Sequence, residues 1–247
     1  MDNRTDPRFT VSQQRAGTSV PRAGGASYDA GLRSYMLNVY NYMAGGVALT
    51  GVVSWLFASS GMAASLFTSG GIMQWVVMLA PLGFVLALSF GINKMSTATA
   101  QAVFWAFAAV MGVSISYIFL AYTGTSIAKV FFITAAAFGG LSLYGYTTKK
   151  DLSGLGTFLI MGVIGLIIAS VVNIFLQSSM FDFVISILGV LIFAGLTAYD
   201  TQKIKNMYFQ VAGTNMMGKT VIMGALSLYL DFINMFLFLL RLFGSRE

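Results

Sequence analysis

The stretch from Val221 to Leu240 reads VIMGALSLYLDFINMFLFLL, and Asp231 is its only charged residue. Twenty residues of this kind form a helix of about 30 Å, the thickness of a bilayer's hydrocarbon core. An ionisable side chain at that depth costs roughly 2.5–3.5 kcal/mol on insertion scales, and such groups persist where they face a bundle interior or a wet cavity. A second acid, Asp200, closes the preceding apolar segment in LTAYDTQKIK, Leu196–Lys205.

The rest of the chain has the same character. Of its 247 residues 57% are hydrophobic and 9% charged, with a mean hydropathy of +0.80. A soluble domain carries about 25% charged residues. No charge occurs from Ser34 through Asn93, from Met95 through Ala128, or from Leu152 through Phe181. This is the composition of an all-α integral membrane protein.

There is no cysteine and no histidine. Disulfides, thiolate and imidazole metal sites, and Cys- or His-based catalysis are thereby excluded. Any pH response near neutrality falls to carboxylates or lysines. The net charge of +6 fits the basic cytoplasmic loops of a membrane protein. No basic patch with interleaved aromatics points to nucleic acid.

Residues 1–33 are polar, carry Arg4, Arg8, Arg15, Arg22 and Arg33, and lack apolar periodicity. They read as a disordered basic cytoplasmic tail rather than a signal peptide. Residues 34–247 read as a single seven-helix transmembrane domain, with apolar segments near 36–58, 73–93, 101–121, 126–146, 155–176, 182–201 and 219–241. The third and fourth are separated only by Tyr122–Thr125 and form a tight hairpin.

With the N-terminus cytoplasmic, that side holds the five tail arginines with Lys94, Lys149, Lys150, Lys203, Lys205 and Lys219. The opposite side holds Lys129, Arg241 and Arg246. The bias supports a multi-pass inner-membrane protein with its N-terminus inside. Arg241 and Arg246 run against it, so a last segment that dips in and returns stays open. Pro81 and Gly83 mark a kink in the second segment, and no internal repeat is evident. Small residues four apart, Ala135/Gly139 and Gly112/Ser116, predict close helix packing.

If the last two helices are neighbours, a modest offset brings Asp200 and Asp231 within hydrogen-bonding reach. Two carboxylates in a low dielectric resist double ionisation and titrate as a unit. A shared proton would latch the two helices together. The plainer readings are an ion pair of Asp200 with Lys203, and a structural hydrogen bond from Asp231 to Ser227, Asn234 or another helix. Lys94, on the same side as Asp200, is a candidate counter-ion or a snorkelling interface lysine. Lys149, Lys150 and Asp151 form a corner between the fourth and fifth segments, most simply a topology anchor.

These residues carry a family resemblance. GLTAYDTQKIK (Gly195–Lys205) and ALSLYLDFINMFLFLLRLFG (Ala225–Gly244) resemble the two hallmark segments of the Bax-inhibitor-motif membrane family. TTKKDLS (Thr147–Ser153) resembles that family's loop before the fifth helix. The likeness covers about residues 30–244 and suits a bacterial member. It implies six helices around a central C-terminal seventh. It also implies a pH-sensitive aspartate pair, at Asp200 and Asp231, and a calcium-leak activity. Lys94 falls where relatives carry an arginine near the first aspartate. Some relatives have an acid within the second helix, and this chain has none there.

Four functions compete. A pH-gated cation leak suits calcium, because hard divalent cations take oxygen ligands, and two acids would hold them only weakly and transiently. A non-transporting regulator would bind a membrane partner such as a membrane-bound protease. The resemblance extends to that role, and the basic tail could dock on such a partner or on anionic lipid. An intramembrane aspartyl protease fits Tyr199-Asp200 and Asp231, but Leu228-Tyr229-Leu230 stands where those enzymes have Gly-x-Gly before the second acid. A proton-coupled transporter is the fourth, with no substrate named by the sequence. The reading adopted is the leak, with the lipid bilayer as surroundings, no resident cofactor and no enzymatic activity.

Overall fold

The computed structural model describes residues 23–246, with side chains from Ala30. The described residues are almost entirely helical: α1 (Ala23–Ser59), α2 (Met62–Thr68), α3 (Ile72–Gly91), α4 (Thr97–Ile115), α5 (Ile118–Ala121), α6 (Gly124–Thr147), α7 (Ser153–Leu176), α8 (Ser179–Val211) and α9 (Met217–Phe243). Seven helical stretches are long and apolar enough to cross a membrane, with α4 and α5 forming one of them. Residues 1–22 of the expected tail lie outside the described residues. Residues 23–33, read from sequence as tail, form the first turns of α1.

Local chemistry sets several boundaries. Ser96 caps α4 by accepting from the Thr99 N–H at 3.0 Å, and Thr123 and Ser178 cap α6 and α8 in the same way. These caps satisfy N–H groups that a helix start leaves orphaned. The turn from α8 to α9 passes through Gly213, whose φ of 76° suits glycine. Pro81 lies inside α3. A proline removes the donor for the carbonyl four residues back, here Val77, and one residue further on Ser114 of α4 donates to Met78 O at 3.4 Å.

Burial sorts the helices. Two-thirds of the membrane window of α9 is buried, against 11% for α3 and for α7. α9 packs on α8, α1, α6 and α4, whereas α3 attaches chiefly to α4, and α7 to α8. Phe175 at the end of α7 and Ile72 at the start of α3 are about four-fifths exposed, which in a bilayer means lipid-facing. α9 runs unbroken for 27 residues, about 40 Å of rise, so the last segment is long enough to span.

Without a hydrophobic drive between helices in lipid, close approach through small residues holds the bundle. A Cβ on Gly112 would strike the Thr50 carbonyl and Val53 of α1. One on Gly145 would strike the backbone of Ala198, and one on Gly189 the ring of Phe238. The Gly112/Ser116 pair therefore packs as its spacing predicts. The Ala135/Gly139 pair does not: a Cβ on Gly139 would meet nothing within 4 Å.

Candidate functional site

α8 and α9 run antiparallel, with Gly224 against Ile204 and Gly189 against Phe238. That register sets Asp231 level with Thr197, about one helical turn from the level of Asp200. Asp231 is 4% exposed, and its Oδ2 is buried with no hydrogen-bond partner. Asp200 is half-buried. The charge of Asp200 reaches Asp231, and that of Lys203 reaches both. Asn234 donates to Leu230 O at 2.8 Å rather than to Asp231. A buried carboxylate oxygen without a donor is costly, more so than the roughly 1–3 kcal/mol of a neutral group. Such an atom calls for an explanation.

The helices around the acids are tied by side-chain hydrogen bonds. Thr201, next to Asp200, meets Ser142 of α6 at 2.9 Å, and Ser142 meets Tyr40 of α1 at 2.5 Å. Gln202 grips the turn between α6 and α7, accepting from Leu152 N and donating to Lys150 O, both at 2.8 Å. Lys205 donates to Tyr146 O at 2.7 Å. On α9, the hydroxyl of Tyr229 lies 2.6 Å from that of Thr50, which donates to Ala108 O at 2.8 Å. In the turn between α6 and α7, the N–H of Ser153 donates to Asp151 and holds its carboxyl below its usual range.

Lys94 is exposed in the turn between α3 and α4 and makes no ion pair among the described residues. It is not brought to Asp200, because α3 leans on α4 and not on α8. Lys203, one turn along α8, supplies the nearby positive charge instead. At the other end of the bundle Asp182 and Arg241 approach to 3.7 Å, each about two-fifths exposed. They line a cavity of about 360 Å³ with Arg246, whose backbone bridges to Tyr122. Of the two arginines discordant in the sequence, Arg241 sits against a local acceptor, Asp182.

Two apolar cavities of about 720 and 410 Å³ lie along the seam between α1 and α6. Neither aspartate lines any of these three cavities. Phe232, next to Asp231, forms the floor of the larger one. Its ring packs edge-on against Phe131 and Phe138, with centroids 5.5 Å away in each case. No group of three or more carboxylate ligands able to hold a metal ion occurs among the described residues. The three rings form an aromatic cluster where α6 meets α9, beside the larger cavity.

The sequence singles out both acids, whereas Gln202, Tyr40, Ser142 and Thr50 emerge only from the helix contacts. Among these, only Gln202 lies in the quoted stretch Gly195–Lys205, two residues after Asp200.

Seven membrane-length helices, with Asp200 and Asp231 on the last two, make this a polytopic membrane protein. The chain belongs to the family described as inhibitor of apoptosis-promoting Bax1, whose profile matches residues 32–247. It is 50% identical over 222 residues to an uncharacterized protein, RP147, of Rickettsia prowazekii, covering 90% of this chain and 93% of the relative. It is 48% identical over 230 residues to an uncharacterized protein of Caulobacter vibrioides, covering 90% and 92%. Inner membrane protein YbhL of Escherichia coli K12 is 46% identical over 220 residues, covering 88% and 94%.

Proposed function

We propose that this protein is a pH-sensitive cation leak, with calcium the best-suited ion and the Asp200–Asp231 pair as its sensor. The observation that carries the reading is the buried Oδ2 of Asp231, without a hydrogen-bond partner and within reach of the charges of Asp200 and Lys203. Like charges in a low dielectric resist joint ionisation, so one proton held by the pair joins α8 to α9. Thr197, Thr201 and Lys203 are the polar and charged groups of α8 nearest this level. Gaining a second proton or losing the first breaks the arrangement and frees the helices to separate.

On this reading the conformation described is a closed one, which is supported by neither aspartate lining any of the three cavities. With two acids and no third ligand, calcium passes rather than binds tightly. The basic ends of the helices face the cytoplasm under the positive-inside rule.

The test is calcium entry into liposomes holding the purified protein, against empty liposomes. Calcium flux whose pH dependence is lost in Asp231→Asn supports the reading. No flux above empty liposomes at any pH would favour a regulator that binds a membrane partner and transports nothing.

A further inference from the structure

The Ala135/Gly139 pair has the spacing of a helix-packing motif, yet it faces a groove. The larger seam cavity, about 720 Å³, is walled by α1 on one side and α6 on the other. It follows α1 from Arg33 to Ala48, about 22 Å of helix rise against about 30 Å of hydrocarbon. The small side chains of Ala135 and Gly139 create the space, with Leu143, exposed, at one edge. Phe232 closes the floor.

Charge is placed at one end only. Arg33 is the sole charged residue lining the groove, and no acid lines it. Arg33 is exposed and makes no ion pair among the described residues. Lys205 lies close by, its ammonium on the carbonyl of Tyr146, another lining residue. An elongated apolar slot capped by cations is complementary to one kind of amphiphile.

We propose that the groove between α1 and α6 is a binding site for an anionic glycerophospholipid, one acyl chain lying over Gly139 and the phosphate at Arg33. The chain fills the volume that neither helix occupies, and the headgroup meets the guanidinium at the basic end of the bundle. This inference stands apart from the leak, because it needs no permeation.

The test uses the full-length protein in vesicles that carry a trace of photoreactive lipid, with the reactive group on the acyl chain. Two probes are compared, one with a phosphatidylglycerol and one with a phosphatidylcholine headgroup, and adducts are mapped by peptide mass spectrometry. The phosphatidylglycerol probe is expected to label residues 36–44 and 135–146. Gly139→Leu puts a side chain into open space and should abolish that labelling. Gly165→Leu, at another open glycine away from the groove, should leave it intact. Arg33→Gln should lower labelling by the anionic probe about fivefold, the worth of one basic residue at an anionic surface, and spare the zwitterionic probe. If Gly139→Leu fails to fold, Ala44→Leu fills the groove from the opposite wall.

Equal labelling by both headgroups in the native protein would overturn the assignment of Arg33. Adducts spread over α3 and α7 and indifferent to Gly139→Leu would overturn the site. Chain-to-chain adducts at Gly139 would give the groove to a second copy instead.

Discussion

Thr50 and Tyr229 share a hydrogen bond of 2.6 Å in the middle of the bundle, fastening α1 to α9 two residues before Asp231. Both side chains are buried. Tyr229 also packs edge-on against Phe107 and Phe104, with centroids at 5.0 and 6.3 Å. Tyr229→Phe preserves those ring contacts and removes only the hydroxyl. Thr50 keeps its bond to Ala108 O, so the loss should be about 1 kcal/mol. A lower melting temperature in detergent, with unchanged helix content, is the expected result.

Gln202 bonds with both polar groups of its side-chain amide to the turn before α7. Gln202→Leu leaves the N–H of buried Leu152 without an acceptor, at a cost of about 1–3 kcal/mol. Hydrogen exchange should accelerate at Leu152 and its neighbours before any other part of α7. Exchange unchanged in this turn would mean that the clamp is not formed in the membrane.

The aromatic layer beside Asp231 should act as a barrier. Phe138→Ala removes one of the two rings that brace Phe232 and enlarges the seam cavity that it lines. Resting calcium flux is expected to rise at every pH. The same change should also destabilise by about 3–5 kcal/mol, so flux is read per folded protein.

Asp151 gives a pH-dependent contribution whose sign is fixed. Its folded carboxyl titrates below the usual ~3.9 of an aspartate, chiefly because it accepts from the Ser153 N–H. A depressed value means that its share of stability is present above the unfolded value and fades as pH falls through the folded one. Direct carboxyl titration by carbon NMR should give a midpoint below that of an unstructured peptide. In Asp151→Asn the acid-side loosening of the turn should vanish.

The sequence shows the spans because hydropathy reports the lipid-facing surface, which dominates seven long helices. It hides what happens where polar residues are buried against protein. α8 continues to Val211, ten residues past the sequence boundary at 201. TQKIKNMYFQV looks like a loop by hydropathy, yet Thr201, Gln202, Ile204 and Tyr208 are buried, and the Tyr208 ring meets Tyr35 at 5.4 Å. The short α2 escaped because seven residues carry no periodic signal.

The acids were legible because a lone carboxylate in an apolar run has few explanations. For Lys94, charge counting yields the side of the membrane but not the position around the bundle, and of its two readings the exposed, unpaired side chain suits the interface lysine. Ala135/Gly139 failed for a related reason. Four-residue spacing marks a smooth face, and whether a helix or a groove lies over it is decided by tertiary packing.

The central claim is that Asp200 and Asp231 form one protonation unit that gates cation passage. Calcium flux into liposomes from pH 5 to 8, for the native protein and for Asp200→Asn/Asp231→Asn, tests it most directly. The account predicts a pH-dependent flux in the native protein and a loss of that pH dependence in the double variant. An identical pH profile in both proteins would contradict it.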